Sequence, residues 1–179
     1  LGLIAAHNKN EMIKMPKGKD DAIINGTKRI AEGRSLYEFW LRQWYGVDPT
    51  DGAGLFIQDP DKASDGNSRT VNGVLMTTNQ NNALYAYSGT SNPDIYGSVT
   101  NTFKFGNFDL SVMLNYQLGG KTYDGNYASL MNSYAQGQSQ HVDILNAWKK
   151  PGDITAVPIL SSANATAVGA GSTRWLVKS

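Results

Sequence analysis

Cysteine is missing from this chain of 179 residues. That removes disulfides, thiolate metal sites and cysteine nucleophiles, and leaves the compartment open. A run of ~18 consecutive apolar residues is missing too, so no segment suits a transmembrane helix. Neither sign of charge dominates: 16 Lys and Arg against 15 Asp and Glu leave a net +1. With no Lys/Arg run and no basic helix, nucleic acid is not expected as a partner. Histidine is scarce. His7 and His141 each lack a second histidine at metal spacing, and a solitary loop histidine is ordinarily no ligand. No nucleophile elbow, phosphate loop or dinucleotide fingerprint occurs, and the carboxylates are scattered over turns. The chain therefore reads as a non-enzyme, with no catalytic, cofactor-binding or metal-binding residue assigned and no cofactor expected.

Two faint motifs remain. Asp59, Asp61 and Asp65, followed by Gly66-Asn67, make an oxygen-rich loop. It misses the usual calcium-loop spacing and the closing bidentate acid. Asn25-Gly26-Thr27 and Asn164-Ala165-Thr166 match the glycosylation sequon, which carries little weight if the source is bacterial.

What is abundant points elsewhere. Glycine (19) and tyrosine (9), with many Asn and Ser, suit turns and half-polar strands. A mean hydropathy of -0.38 looks soluble, but barrel strands are half polar, so the average is a poor guide. The informative stretch is Tyr96 to Leu118. Phe108, Leu110, Val112, Leu114, Tyr116 and Leu118 are apolar or aromatic, and Asp109, Ser111, Asn115 and Gln117 lie between them with Met113. That is period 2 with one apolar face. Val99, Phe103 and Phe105 share one face of the preceding arm, interrupted by Asn101, and Ser98, Thr100, Thr102 and Lys104 share the other. Gly106-Asn107 suits a two-residue hairpin turn, which would set Phe105 opposite Phe108, Phe103 opposite Leu110 and Val99 opposite Leu114. Each arm then has about 10–11 residues, enough for a tilted strand to cross a bilayer core.

Along the rest of the chain, short and long connections alternate. A turn at Asn8-Lys9-Asn10 leads to a brief strand candidate, Met12 to Met15, and a polar link from Pro16 to Ser35. Leu36 to Val47 is an aromatic-rich strand candidate. Asp48-Pro49-Thr50-Asp51-Gly52 is a turn, Ala53 to Gln58 another strand, and Asp59 to Ile95 mostly loop. After the hairpin, 119–172 reads as long non-strand, with short helices expected over Tyr127 to Ala135 and over His141 to Lys150. In the second helix Val142, Leu145 and Trp148 would form the packed stripe. The alternation predicts the turns 8–10, 48–52 and 106–107 on one side of a sheet and the long loops on the other, as in a membrane barrel. About five to six spans follow from this reading. The beginning and end of the chain look cut, without a signal peptide, which suggests an interior piece of a longer polypeptide.

Aromatics gather in two places. Tyr37, Phe39, Trp40, Trp44 and Tyr45 lie on one strand, and Tyr85, Tyr87, Tyr96, Tyr123, Tyr127 and Tyr134 lie in or beside the loops. They suit either an interfacial girdle and loop packing or stacking platforms for a sugar or peptide.

Several motifs together resemble the SusC/RagA family of TonB-dependent outer-membrane transporters. Gly33, Tyr37-Glu38-Phe39 and Tyr45-Gly46-Val47-Asp48-Pro49-Thr50-Asp51-Gly52 resemble its aromatic strand and Gly-Val-Asp-Pro-x-x-Gly turn. Ser91-Asn92-Pro93-Asp94-Ile95-Tyr96-Gly97 and Asn101 to Leu110 are similar to its Asn-Pro segment and Phe-Asp-Leu hairpin, continued by Tyr116 to Asp124. Trp148-Lys149-Lys150-Pro151-Gly152-Asp153 and Pro158 resemble a Trp-Pro-Gly-Asp loop, and Ser172 to Leu176 the approach to a further strand. Ala147 stands where an arginine often precedes the tryptophan, and Ser91 where glycine is usual. The resemblance implies a barrel of about 22 strands with an N-terminal plug, importing glycans or peptides on energy from TonB. A SusD-like surface lipoprotein would cover the extracellular loops.

Residues 1–179 would then be the C-terminal part of that barrel, without plug or signal peptide. The fold class expected is all-β, an antiparallel transmembrane β-barrel segment with long extracellular loops carrying short helices. The expected place is the bacterial cell outer membrane. Expected partners are a SusD-like lipoprotein, TonB through regions absent from this chain, an oligosaccharide or peptide substrate, and membrane lipid. The alternative is a soluble extracellular β-domain that binds glycans. The apolar face of Phe108 to Leu118 separates the two: lipid exposure favours the first and burial against a second sheet the other.

Overall fold

The computed structural model describes residues 1–18, 22–132, 137–161 and 169–178. In chain order the strands are β1 (Gly2–Ala6), β2 (Ile23–Asn25), β3 (Lys28–Ile30), β4 (Glu38–Arg42), β5 (Trp44–Val47) and β6 (Gly54–Ile57). Then come β7 (Ser68–Val71), β8 (Val74–Thr77), β9 (Tyr85–Thr90), β10 (Ile95–Phe105), β11 (Phe108–Leu118) and β12 (Lys121–Tyr123). Helix α1 (Gly125–Leu130), 3-10 turns at Gln80–Asn82, Val142–Asn146 and Thr173–Trp175, and strand β13 (Leu176–Lys178) are the other elements. The fold is all-β and mostly antiparallel, with few helices, and no closed barrel forms among the described residues. Two compact units divide the chain: unit 1 holds 1–39, 89–122 and the residues from 177, and unit 2 holds 40–88 and 123–176.

Unit 1 is organised by an antiparallel sheet of order β1-β10-β11. Two 11-residue strands meet with Phe105 opposite Phe108, Phe103 opposite Leu110, Val99 opposite Leu114 and Ile95 opposite Leu118. The register expected from Gly106-Asn107 is the one observed. Gly106 has φ +61 and Asn107 is not among the positive-φ residues. Those signs belong to a type II′ turn, whose twist matches that of its strands. β1 adds to the other edge of β10, pairing Leu3 with Val99 and Ala5 with Gly97. Gly97 is required there: a Cβ would lie 2.0 Å from the Ile4 carbonyl oxygen and 2.7 Å from the Tyr116 hydroxyl, which itself donates to Ile4 O at 3.1 Å.

The rest of unit 1 differs from expectation. Met12 to Met15 is not a strand: Met12 exchanges two backbone bonds with Gly33 and Arg34, and the Met15 amide donates to the Glu32 carboxylate. The link 16–35 contains a hairpin, β2–β3, closed by Asn25 opposite Lys28 around Gly26 at φ +60. Lys17-Gly18 is described; Lys19-Asp20-Asp21 lies outside the described residues. The turn 8–10 lies at the wrong end. Because β1 runs antiparallel to β10, Ala6 faces Tyr96, so the following turn sits at the end of the sheet opposite Gly106-Asn107.

Unit 2 is built on a sheet of order β5-β6-β8-β7. The candidate strand 36–47 is broken at Gln43, whose N–H donates to Leu84 O and whose carbonyl accepts from the Ile57 amide. In β6, Gly54, Leu55 and Phe56 are buried in succession, so both faces of this strand are covered. β4, β5 and β6 have four or five residues each, short of the about 10 that a tilted bilayer span needs, so they do not make up the count of about five to six spans. The region 59–95, read as mostly loop, carries β7, β8 and β9. Asn72 (φ 50) and Gly73 (φ 78) form the two-residue turn of β7–β8, the Asn-Gly signal of a type I′ hairpin. A second cluster packs Met131, Ile144, Ala147, Val157 and Trp175.

Helices are shorter than expected. Asp124 caps α1 by accepting from the Tyr127 amide, and 133–135 of the expected first helix lie outside the described residues. The second is a 3-10 turn in which Ile144 is buried while Val142 and Leu145 are exposed, and of the expected stripe Trp148, beyond the turn, is the buried member. The stripe expected from a 3.6-residue period fails because this turn has about three residues per turn.

Gly97→Val should detach β1 from β10. Amide exchange at Leu3 to Ala6 should accelerate while β10–β11 stays protected; unchanged protection in β1 would contradict the close approach.

Candidate functional site

The first feature is the three-stranded face of unit 1. On one side lie Leu3, Val99, Phe103, Phe105, Phe108, Leu110, Val112, Leu114 and Leu118, brought together by the pairing of β1, β10 and β11. Phe105 is 85% exposed, Phe108 78%, Leu114 64% and Leu110 60%. The opposite face carries Ser98, Thr100, Thr102, Lys104, Asp109, Ser111, Asn115 and Gln117. There Lys104 faces Asp109 at 3.6 Å and the Thr102 and Ser111 hydroxyls lie 3.4 Å apart. Ile4, Ala6 and Met113, with the Tyr96 ring, are the apolar or aromatic exceptions on this polar side. Isolated apolar side chains on a surface need no explanation, but a contiguous row of this length does.

At the end of this sheet away from Gly106, two of the resembling motifs meet. The Asp94 amide donates to Leu118 O at 2.9 Å, and the Asp94 carboxylate occupies the space a Cβ on Gly119 would need. Gly120 packs its α-carbon against Asn92 O in the same way. Both glycines have positive φ, +78 and +84, so the Gly-Gly pair is a steric and a backbone requirement of the Asn-Pro-Asp segment. A cleft of about 290 Å³ lies here, lined by Thr90, Asp94, Gly119, Gly120, Lys121 and Lys178.

Unit 2 joins two motifs about a hundred residues apart. Asp48 accepts from the Thr50 amide (2.9 Å) and hydroxyl (2.6 Å), and its other oxygen takes Arg69 at 2.7 Å. Arg69 also reaches Asp51 at 2.9 Å. Gly52 closes the turn onto Asp48 O. Pro49, unable to donate, offers its carbonyl to the Trp148 indole at 3.1 Å and the Gly152 amide at 2.8 Å. The Asp153 carboxylate accepts from the Lys149 and Lys150 amides, both at 3.1 Å. The turn 48–52 is therefore seated on 148–159, rather than on the side away from the 119–172 loop. Burial would push the Asp48 carboxyl up, but the Thr50 and Arg69 hydrogen bonds outweigh it and hold it below the usual carboxylate range.

The remaining candidates have local duties. His7 Nδ1 lies 2.6 Å from Asp94 O, and His141 Nδ1 accepts from the Asp143 amide as a cap. Asp59 accepts from the Asp61 amide, and Asp65 from the Asn67 amide and the Asn82 side chain. Among the described residues no group of three or more His, Asp or Glu is placed to hold a metal ion. Asn25 lies at the β2–β3 turn; Asn164-Ala165-Thr166 and Tyr134 lie outside the described residues.

The aromatics mostly pack. Trp44 meets Phe56 edge-on at 5.2 Å, Tyr127 meets Trp175 at 5.4 Å, and Phe39 is buried. Trp40 contacts both Tyr85 and Tyr87, with Arg42 over the Tyr85 ring. Arg174 lies over Trp44 and Trp175, and burial lowers its pKa to about 10. Residue identity alone gave no sign of this arginine's place.

No family model matches the chain. It is similar to the TonB-dependent receptor P3 of Formosa agariphila, 25% identical over an alignment of 172 residues that covers 86% of this chain and 16% of the receptor. Its fold matches the solved structure of the RagAB peptide transporter with a TM-score of 0.73 and 19% identity, over 96% of this chain and 18% of that one. The chain thus has distant sequence similarity to a TonB-dependent receptor and the fold of part of a transporter, and spans under a fifth of each. Neither similar protein is an enzyme: one is a receptor and the other a transporter.

Two outcomes follow for unit 2. Gly52 has φ +73, and a Cβ there would meet the Trp148 ring at 2.5 Å, so Gly52→Ala should destabilise the unit by about 1–3 kcal/mol. The urea midpoint reported by a fluorotryptophan at position 148 should fall. Because the folded-state pKa of Asp48 is depressed, its stabilisation is present above the ordinary carboxylate range and is lost as pH falls through the folded value. Acidification from neutral to below ~4 should lower the same midpoint, and less so in Asp48→Asn.

Proposed function

We propose that this chain is a section of the wall of a TonB-dependent outer-membrane importer of the SusC/RagA type, with extracellular loops that meet a SusD-like lipoprotein. It carries no bond chemistry. The observation that carries the reading is the β10–β11 hairpin, two 11-residue strands with one exposed apolar face. That is the span a tilted strand needs, with the in/out alternation of a barrel wall. The similarity to a TonB-dependent receptor and to the RagAB peptide transporter supports it from sequence and from fold.

In this reading Phe103, Phe105, Phe108, Leu110, Val112 and Leu114 face lipid, and Thr102, Asp109, Ser111 and Asn115 face a wet lumen. Gly106-Asn107 lies at the periplasmic end, and 8–10, 92–94 and 119–124 lie towards the loops. β1 and β11 each show one edge that no described strand pairs. Hydrocarbon cannot satisfy such edges, so in the membrane further strands of the same barrel would flank them. Energy would come from TonB through a plug outside this chain. The cargo is a peptide or an oligosaccharide; the name of the RagAB structure favours peptide.

A soluble glycan-binding domain would need the apolar face covered by a second sheet, and the high exposure of Phe105, Phe108 and Leu114 argues against it. Val112→Leu in the parent protein should fold as the wild type does. Val112→Arg, near mid-strand, should cost roughly 2–4 kcal/mol in a bilayer and lower the yield of heat-modifiable folded protein in outer membranes. A wild-type yield for the arginine variant would overturn the membrane reading.

A further inference from the structure

We propose that His141 is a proton-operated latch on the 3-10 turn 142–146 of unit 2. Neutral, its Nδ1 holds the Asp143 amide; protonated, the same nitrogen releases the amide and passes to the Asp143 carboxylate. This latch does not depend on the import role proposed above.

Only the protonation state separates the two partners. Nδ1 lies 3.2 Å from the Asp143 amide nitrogen and 3.2 Å from Asp143 Oδ2. An amide N–H only donates and an ionised carboxylate only accepts. A neutral imidazole that accepts at Nδ1 carries its proton on Nε2, whereas an imidazolium donates from both nitrogens. Each state therefore fits one neighbour and opposes the other. In the neutral ring the Nδ1 lone pair faces a carboxylate oxygen, and in the charged ring an N–H faces an N–H. Solvent protons reach the pair, because the His141 and Asp143 side chains are 37% and 43% exposed.

The surroundings hold the ring between its two partners. The His141 amide donates to Leu130 O at 3.0 Å, which ties the residue to the end of α1. The ring meets Tyr127 of the same helix edge-on, with 4.8 Å between centroids. The Tyr127 hydroxyl donates to Asp143 Oδ2 at 2.6 Å and so fixes the carboxylate beside the imidazole. That hydrogen bond, with burial second, pushes the Tyr127 phenol up, so it keeps the proton it donates. Two further charges bear on Tyr127 with opposite signs: Asp124 at the cap of α1, and Arg174 from the turn Thr173–Trp175.

The latch acts on the turn that sets one side chain inward. Ile144 packs with Met131, Ala147, Val157 and Trp175, while Val142 and Leu145 stand outside. The turn has five residues, closed by Ile144 N to His141 O and Ala147 N to Ile144 O, both at 3.1 Å. In so short an element one capping bond is a large share of what holds it. An exposed ion pair contributes less than a cap, so the charged form does not restore what the neutral ring supplied. Acid therefore loosens 142–147.

The test follows hydrogen exchange of the 142–147 amides in the full-length parent protein in lipid nanodiscs, expressed as protection factors corrected for the intrinsic pH dependence of exchange. Between about pH 8 and 5, the range over which histidine side chains ordinarily change charge, protection should fall roughly threefold or more. His141→Asn keeps a capping acceptor that does not titrate, so its protection should stay level over the same range. His141→Ala should be weakly protected at both ends. Asp143→Asn should move the midpoint of the transition towards acid, because it removes the partner of the charged ring. Protection in β10 and β11 should not change. Level protection of 142–147 in the wild type, or a loss of wild-type size in His141→Asn, overturns the latch. A parallel loss in β10 and β11 assigns the effect to the whole protein and overturns it too. An unmoved midpoint in Asp143→Asn overturns the carboxylate as the second partner.

Discussion

Everything in unit 1 depends on the register of one hairpin. Strand side chains alternate with a period of two, so a slip of one residue would move Phe108, Leu110, Val112 and Leu114 to the polar face and bring Asp109 and Ser111 among the apolar side chains of β10. The two-residue turn at Gly106-Asn107 prevents that slip by fixing Phe105 opposite Phe108. The pairing then runs without a break to Ile95 and Leu118. Gly97 serves the same register at the other edge, since only a residue without a side chain lets β1 approach while Tyr116 lies over the gap.

Unit 2 is held by a different constraint, the accounting of backbone polar groups in a turn. The turn 48–52 buries Asp48 and spends its carboxylate on Thr50 and Arg69, while the carbonyls of Asp48, Pro49 and Gly52 find donors in Gly52, Trp148, Gly152 and Ile159. A buried polar group left unpaired is costly. Motifs that look like a mere Pro-Gly turn and a mere Trp-Pro-Gly loop therefore constrain one another. The spare glycine at 52 is explained by the indole against it.

The same accounting shapes what is left outside. Where Asp143 and Asp153 are satisfied internally, Lys149, Lys150 and the aliphatic side chains beside them are presented outward. The apolar hairpin face and the 142–155 surface are unlike in kind. One is a period-2 row across paired strands, the other a compact group of exposed aliphatic side chains beside Lys149 and Lys150.

The amino-acid sequence by itself determined the hairpin, its turn, its register and its apolar face, because period-2 patterning and a Gly-Asn turn are local and leave one solution. Two further turn signals, Asn72-Gly73 between Val71 and Val74 and Gly26-Thr27 between Asn25 and Lys28, make hairpins inside stretches that look like polar loop. Tertiary structure alone decided that 8–10 lies at the far end from Gly106-Asn107, that Leu55 and Phe56 are both buried, and that the turn 48–52 rests on Trp148. It also decided that Ile144 rather than Leu145 turns inward. Each of these follows from long-range pairing or from a three-residue turn chosen to bury one side chain, and alternation of loop lengths along a chain does not encode which ends of strands come together.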